Sequence, residues 1–168
     1  MIAESLNMAF RAQLVVPEQR QLYEYWVDRA QGRSMPERGD IHPSHFPRLL
    51  PNISLVDIDE GGCDCRIRLA GTRLREVYDR EITGLRIDDL DLGAKRDYWM
   101  AAYRRTIEEG KPTQGVIRGP RVNKEHLVQY WLKLPLGRKG GAGVAMLLCL
   151  DHFQPALDDS AAPARASA

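Results

Sequence analysis

Apolar runs are short throughout this chain. None approaches the ~20 residues that span a bilayer, and the opening MIAESLNMAF has neither the basic end nor the long apolar centre of a secretion signal. Both absences weigh against a membrane or secreted setting. Cysteine is scarce as well: three residues, an odd number, make no disulfide framework and suit a reducing compartment. Nor is charge of one sign in excess. The 24 basic and 23 acidic residues leave a net +1, so no overall field recruits nucleic acid or an anionic membrane. No internal repeat is present. The expectation is a soluble cytoplasmic domain with extensions, long enough to bury roughly 70% of its unfolded surface.

Signatures of catalysis are missing too. There is no Gly-x-Ser-x-Gly elbow, and no serine or cysteine has an evident base and orienting acid. The glycine-rich stretch Gly137–Gly143 lacks a Gly-Lys-Ser/Thr ending and leads into a strand, so it reads as a hairpin rather than a phosphate loop. Cys63-Asp64-Cys65 and His42-Pro43-Ser44-His45 offer four soft or borderline metal ligands. Zinc sites more often separate paired ligands by two to four residues, and Cys-x-Cys on a strand is what core alternation produces. Buried structural cysteines are expected, with no metal and no catalytic residue. Asp88, Asp89 and Asp91 read as an acidic surface loop.

What is present is a hairpin followed by broken helix. From Asn52 to Leu90 the chain reads NISLVDIDEGGCDCRIRLAGTRLREVYDREITGLRIDDL. A Gly61-Gly62 turn joins Ile53–Asp59 to a strand in which Cys63, Cys65, Ile67 and Leu69 point one way and Asp64, Arg66 and Arg68 the other. A short helix over Thr72–Tyr78 follows, and Gly84 interrupts the run. A longer helix from about Gly93 to Glu109 stops at Gly110.

Three further strands close the domain. Thr113–Gly119 is short and polar. His126–Leu136 alternates, with His126, Val128, Tyr130, Leu132, Leu134 and Leu136 on one face. Ala142–Asp151 is apolar on both faces, which places it in the middle of a sheet with its back covered. Ahead of the hairpin, Leu22, Tyr23, Trp26, Val27 and Ala30 form an apolar stripe on a helix from Glu18 to Gln31. Pro36, Pro43, Pro47 and Pro51 then forbid a long helix and predict an extended connector. The organisation is an N-terminal segment (1–17), helix and proline-rich connector (18–51), core (52–153) and a disordered tail (154–168). The fold class is α+β, a five-stranded antiparallel sheet with helices on one face.

This arrangement resembles a PAS domain, and its details resemble a bacterial family of stand-alone PAS proteins. The likeness runs from Leu22 to Phe153. It is carried by Tyr25-Trp26, Arg33…Met35-Pro36…Arg38…Asp40-Ile41, Phe46-Pro47-Arg48-Leu49-Leu50-Pro51, Arg68-Leu69-Ala70-Gly71-Thr72 and Asp79-Arg80-Glu81-Ile82-Thr83-Gly84. The resemblance implies strand order 2-1-5-4-3, and sensing or regulation through protein contacts, often as a homodimer and frequently beside histidine kinases. At this length there is no room for a kinase or DNA-binding domain.

Candidate pocket residues are Leu69, Thr72, Leu74, Tyr78, Trp99, Tyr103, Val128, Tyr130 and Met146, although aromatics at helical spacing pack more often than they bind. Arg73 and Arg75 read as solvated surface. Candidate partner or dimer residues are Leu22, Tyr23, Trp26, Val27, Trp131 and Leu147, with Val56 and Ile58 beside them. The helix stripe covers the sheet back in its own subunit or in a mate. No histidine lies between Gly71 and Glu125, and no cysteine lies in the belt. Neither haem nor flavin is therefore expected, while a small organic ligand is allowed. Two rival readings stay open: an oligomerisation adaptor with a filled pocket, and a small ligand-handling α+β protein.

Overall fold

The computed structural model describes residues 2–157, with side chains from Glu4 onward. Five strands form one antiparallel sheet: β1 (Ile53–Ile58), β2 (Cys65–Ala70), β3 (Thr113–Arg118), β4 (Leu127–Gly137) and β5 (Val144–Pro155). Their order is β2-β1-β5-β4-β3, as the resemblance implies. The doubly apolar β5 is central, hydrogen-bonded to β1 on one side and β4 on the other.

The helices are α1 (Ile2–Gln13), α2 (Pro17–Ala30), α3 (Thr72–Tyr78) and α4 (Arg96–Glu109). Proline at the first turn starts α2, and Gln31 and Gly32, both at positive φ, end it. Between them and β1 the prolines permit only 3-10 turns, at Arg38–Asp40, Pro43–His45 and Pro47–Asn52. α1 lies in what the sequence reads only as an N-terminal segment. Its exposed Leu6 and Met8 weaken the periodic signal that would mark it.

Two layers cover the sheet. The belt (α3, α4 and the turns Ile87–Asp89 and Gly93–Lys95) packs Leu74, Val77 and Trp99 over Val56, Ile67, Trp131 and Leu147. On the opposite face α2 and the proline-rich segment pack Leu22, Trp26 and Phe46 over Leu132, Leu134, Leu148 and Leu150. Trp26 Nε1–H donates to the Pro135 carbonyl at 2.9 Å, so a buried hydrogen bond fixes α2 to β4.

Several expectations are corrected by register. Leu69 does not continue the face of Ile67. A bulge leaves Arg68 unpaired between Leu55↔Leu69 and Val56↔Ile67, and Leu69 turns to the other face, 45% exposed. Cys63 falls before β2 in the hairpin loop and is exposed, and Cys65 is half-buried, so only Cys149 is a buried structural cysteine. Val56, Ile58, Trp131 and Leu147 face the belt, not the sheet back assigned to them. β5 extends through Gln154 to Pro155 because it pairs with β4 as far as Leu127. The expected disordered tail therefore starts too early, and residues 158–168 lie outside the described residues.

Gly71 joins β2 to α3 and explains its own identity. A Cβ there would run into the carbonyl oxygens of Leu50 and Pro51, both backbone atoms that cannot swing aside. Gly71→Ala should lower stability by roughly 3 kcal/mol. Gly39→Ala, where nothing lies within reach of a Cβ, should change it little. Urea unfolding of the two variants checks the contrast.

Candidate ligand pocket

Beneath the belt lies a cavity of about 30 Å³, room for about two water molecules. Its apolar wall includes Leu74, Ile82, Ile87 and Leu92. Its floor is polar: Ser54 from β1, Gln129 and Lys133 from β4, and Asp151 from β5. Alternation puts these residues together. Trp131 pairs with Asp151 and Lys133 with Cys149 across the β4–β5 ladder, and Ser54 pairs with Cys149 from the other side.

Lys133 is 2% exposed, the largest fully buried side chain described. Its ammonium stands over aromatic faces, 4.0 Å from the Tyr103 ring centre, 5.2 Å from Trp131 and 5.3 Å from Trp99. Beside these cation–π contacts, the Asp151 carboxyl of the same floor acts on the ammonium through space. The cage is itself held in place. Trp99 Nε1–H donates to the Pro120 carbonyl, and Trp131 Nε1–H donates to the Tyr98 hydroxyl at 2.8 Å. Gly115 makes room for Trp131, since a Cβ would collide with the indole.

Gln129 Nε2–H donates to Asp151 Oδ1 at 2.6 Å, which leaves Gln129 Oε1 buried with no donor. Burial pushes the Asp151 carboxyl above the usual carboxylate range, while nearby Lys133 and the Gln129 hydrogen bond pull it down. Burial also raises Tyr78 and Tyr103, and takes the Cys149 thiol up to about 11, so the thiol is inert. Arg121 closes one side of the belt. Its guanidinium bonds the Val77 carbonyl and Asp79 and lies 5.3 Å from the Tyr78 ring centre.

Of the predicted pocket residues, Leu74, Tyr78, Trp99 and Tyr103 meet here. Leu69 and Thr72 instead line an apolar groove of about 480 Å³ on the opposite face, between β1, β2 and the Pro43–Pro51 segment. Val128, Tyr130 and Met146 also point away from the belt. Tyr130 packs beside His152 at the sheet margin, and Met146 lies under the α2 layer. The sequence reading chose the wrong parity on β4 because Leu132, Leu134 and Leu136 look like the core face. Gln129 and Lys133 look like solvent. In a sheet covered on both sides that distinction fails, and the polar members of β4 are the pocket floor. The predicted partner residues Leu22, Tyr23 and Trp26 are buried against the chain's own sheet, with Val27 packed beside them. His45 Nδ1 and Tyr25 hydroxyl are 3.1 Å apart, and His42 N–H donates to the same hydroxyl, which braces the connector. No group of three metal-ligating side chains occurs among the described residues. No described helix is long and apolar enough to cross a membrane.

A family model described as PAS domain matches residues 14–150. No curated protein matches the chain. Among solved structures, a light-oxygen-voltage domain studied with a flavin analogue is 14% identical, with a TM-score of 0.50 over 70% of this chain and 84% of its own. The light-oxygen-voltage protein of Rhodobacter sphaeroides is 19% identical, with a TM-score of 0.47 over 67% and 68%. At these identities the likeness speaks for the fold.

The light-oxygen-voltage domain studied with a flavin analogue contradicts the expectation that flavin is unlikely on this fold. Light-oxygen-voltage domains are flavin-binding domains built on this fold, and a missing belt cysteine excludes only cysteine-adduct chemistry, not the flavin. In the present side-chain arrangement a tricyclic ring would enter the belt cavity only with Trp99, Tyr103 or Lys133 displaced.

A buried ammonium with ring faces around it and no carboxylate bonded to it is a burden on folding, and replacing it by an apolar chain of similar length removes that burden. Lys133→Met should melt at or above the wild-type temperature. A clear drop in a thermal melt would show that the charge stabilises the fold. For Asp151 the folded pKa lies above the unfolded value of about 3.9. Its contribution is then full below that value and is lost as pH rises towards the folded pKa. Asp151→Asn should therefore gain stability relative to wild type across that rise, which urea unfolding at stepped pH reads directly.

Proposed function

The chain belongs to the PAS-domain family, and on that premise we propose that it is a cytoplasmic sensory and regulatory module without catalysis of its own. It acts through contacts with other signalling proteins, histidine kinases among them. The observation that carries this reading is the belt cavity, whose polar floor has hydrogen-bonding capacity that the protein leaves unused. A cavity built only to be filled has no reason to bury Lys133 and Gln129.

The cavity also shares its floor strand with the opposite layer. On β4, Trp131 and Lys133 face the belt while Leu132 and Leu134 carry α2, and Trp26 bonds the Pro135 carbonyl two residues on. A ligand that moves this strand biases the seat of α2. Exposed Leu6 and Met8 on α1 and Val15 just before α2 are the surface we assign to a homodimer or partner.

A second reading is an adaptor with a closed pocket. It is favoured by the cavity's small volume and by the indoles that occupy its surroundings. Native and denaturing mass spectrometry of freshly purified protein separates the two, with amide exchange of α2 as the second readout. The sensory reading expects a reproducible extra mass that leaves on denaturation, within a dimer, and α2 exchange that slows when the ligand is present. If the mass is bare and exchange of α2 is unchanged by cell metabolite extract, the adaptor reading replaces it. A bound flavin would declare itself in the same spectrum and in visible absorption.

A further inference from the structure

Three groups at the belt cavity fix what chemistry would complete it. Lys133 Nζ carries three donors and stands over three ring faces, with the Asp151 carboxyl of the same floor acting on it through space but not bonded to it. Ring faces attract the charge but accept no ordinary hydrogen bond, so the donors are unserved. Gln129 Oε1 is buried and lacks a donor, because Nε2 of the same amide is committed to Asp151. The hydroxyls of Tyr78 and Tyr103, both residues of the lining, bond no described residue. A fixed ammonium repels a cationic ligand and leaves a neutral one without ionic pairing. The single cation leaves a doubly charged phosphate only half neutralised in a buried site.

We propose that this cavity binds a small carboxylate, seated by its oxygens on Lys133 Nζ, and prefers one with a hydrogen-bond donor on the adjacent carbon to serve Gln129 Oε1. The inference rests on reading the belt cavity as the sensory input. The carboxylate exchanges water for a charge-assisted N–H of Lys133 at one oxygen, and Tyr78 or Tyr103 serves its second oxygen. The adjacent hydroxyl or ammonium satisfies the Gln129 amide oxygen, which has no donor among the described residues. Glycolate and glycine are the smallest members of that class. Acetate keeps the charge and lacks the donor.

Titration calorimetry on the full chain with acetate, glycolate, glycine and neutral glycolamide tests the assignment. Glycolate or glycine should bind about tenfold tighter than acetate, and glycolamide at least about tenfold weaker than glycolate. Whichever of glycolate and glycine binds tighter identifies the donor as hydroxyl or ammonium. Lys133→Met should lose carboxylate binding by at least about tenfold, and Gln129→Leu should bring glycolate down to acetate. The wild-type ranking needs no variant, so a misfolded variant leaves the test intact. The proposal is overturned if no carboxylate binds wild type, if glycolamide equals glycolate, or if folded Lys133→Met binds as wild type does. Glycolate binding with α2 amide exchange unchanged would uphold the ligand class and sink the sensory reading. A neutral ligand that slows α2 exchange would do the reverse.

Discussion

Neither face of the central pair β4–β5 can meet water, because both strands carry large apolar side chains at odd and even positions alike. Leu132, Leu134, Leu148 and Leu150 lie on one side, and Trp131, Leu147, Cys149 and Phe153 on the other. Everything else is placed by the need to cover both sides. The belt takes one face and α2 with the proline-rich segment takes the other. Where the covers end, β2 and β3 form the sheet edges, with half-exposed Leu69 and Val116 on them. Charged pairs such as Arg68 with Asp57 blunt the β2 edge.

Against that constraint the belt-side floor is an exception that has to be explained. Lys133, Gln129 and Asp151 occupy positions where leucine would stabilise the sheet at lower cost, and each is buried. The protein lessens the cost without removing it. Three ring faces surround the ammonium, and one amide hydrogen bond steadies the carboxylate. Structural polar residues in a core are normally satisfied by the protein itself, as Thr106 and Thr113 are by their 2.6 Å hydroxyl contact in the same layer. Gln129 and Lys133 differ from that pair. Both residues line the cavity, and Gln129 Oε1 has no donor among the described residues.

Strand number, the central place of β5 and most boundaries were legible from residue patterns, because alternation and glycine punctuation act locally, while the full strand order came from the resemblance. Gly110 at φ 60 ends α4 where expected, and the two-sided apolar β5 is central. The site was less legible. Leu74, Tyr78, Trp99 and Tyr103 lie on short helices, whose single apolar stripe leaves little choice of face. On β4 both parities carry apolar residues, and the pocket's working side chains mimic a solvent face. Bulges add a second source of error. One unpaired residue at Arg68 sends Leu69 to the opposite side, and nothing local to the sequence marks it. The flavin expectation failed differently, by treating one missing reactive side chain as if it decided whether a ring could be held.

On the proposed reading, stability and signalling share the same contacts. Trp26 is 4% exposed and its N–H is tied to the Pro135 carbonyl, so α2 cannot leave the sheet without uncovering the leucines of β4 and β5. Complete detachment would expose one of the two cores, a cost comparable to unfolding a domain of this size. A signal passing from the cavity to this face must be a shift within a packed interface rather than release of the helix. Strand β4 suits that role because its side chains belong alternately to the two layers. Displacement of Lys133 or Trp131 on one side is felt at Leu132 and Leu134 on the other, one residue away. The thickness of a single strand, rather than a long chain of contacts, is the distance the signal has to cross.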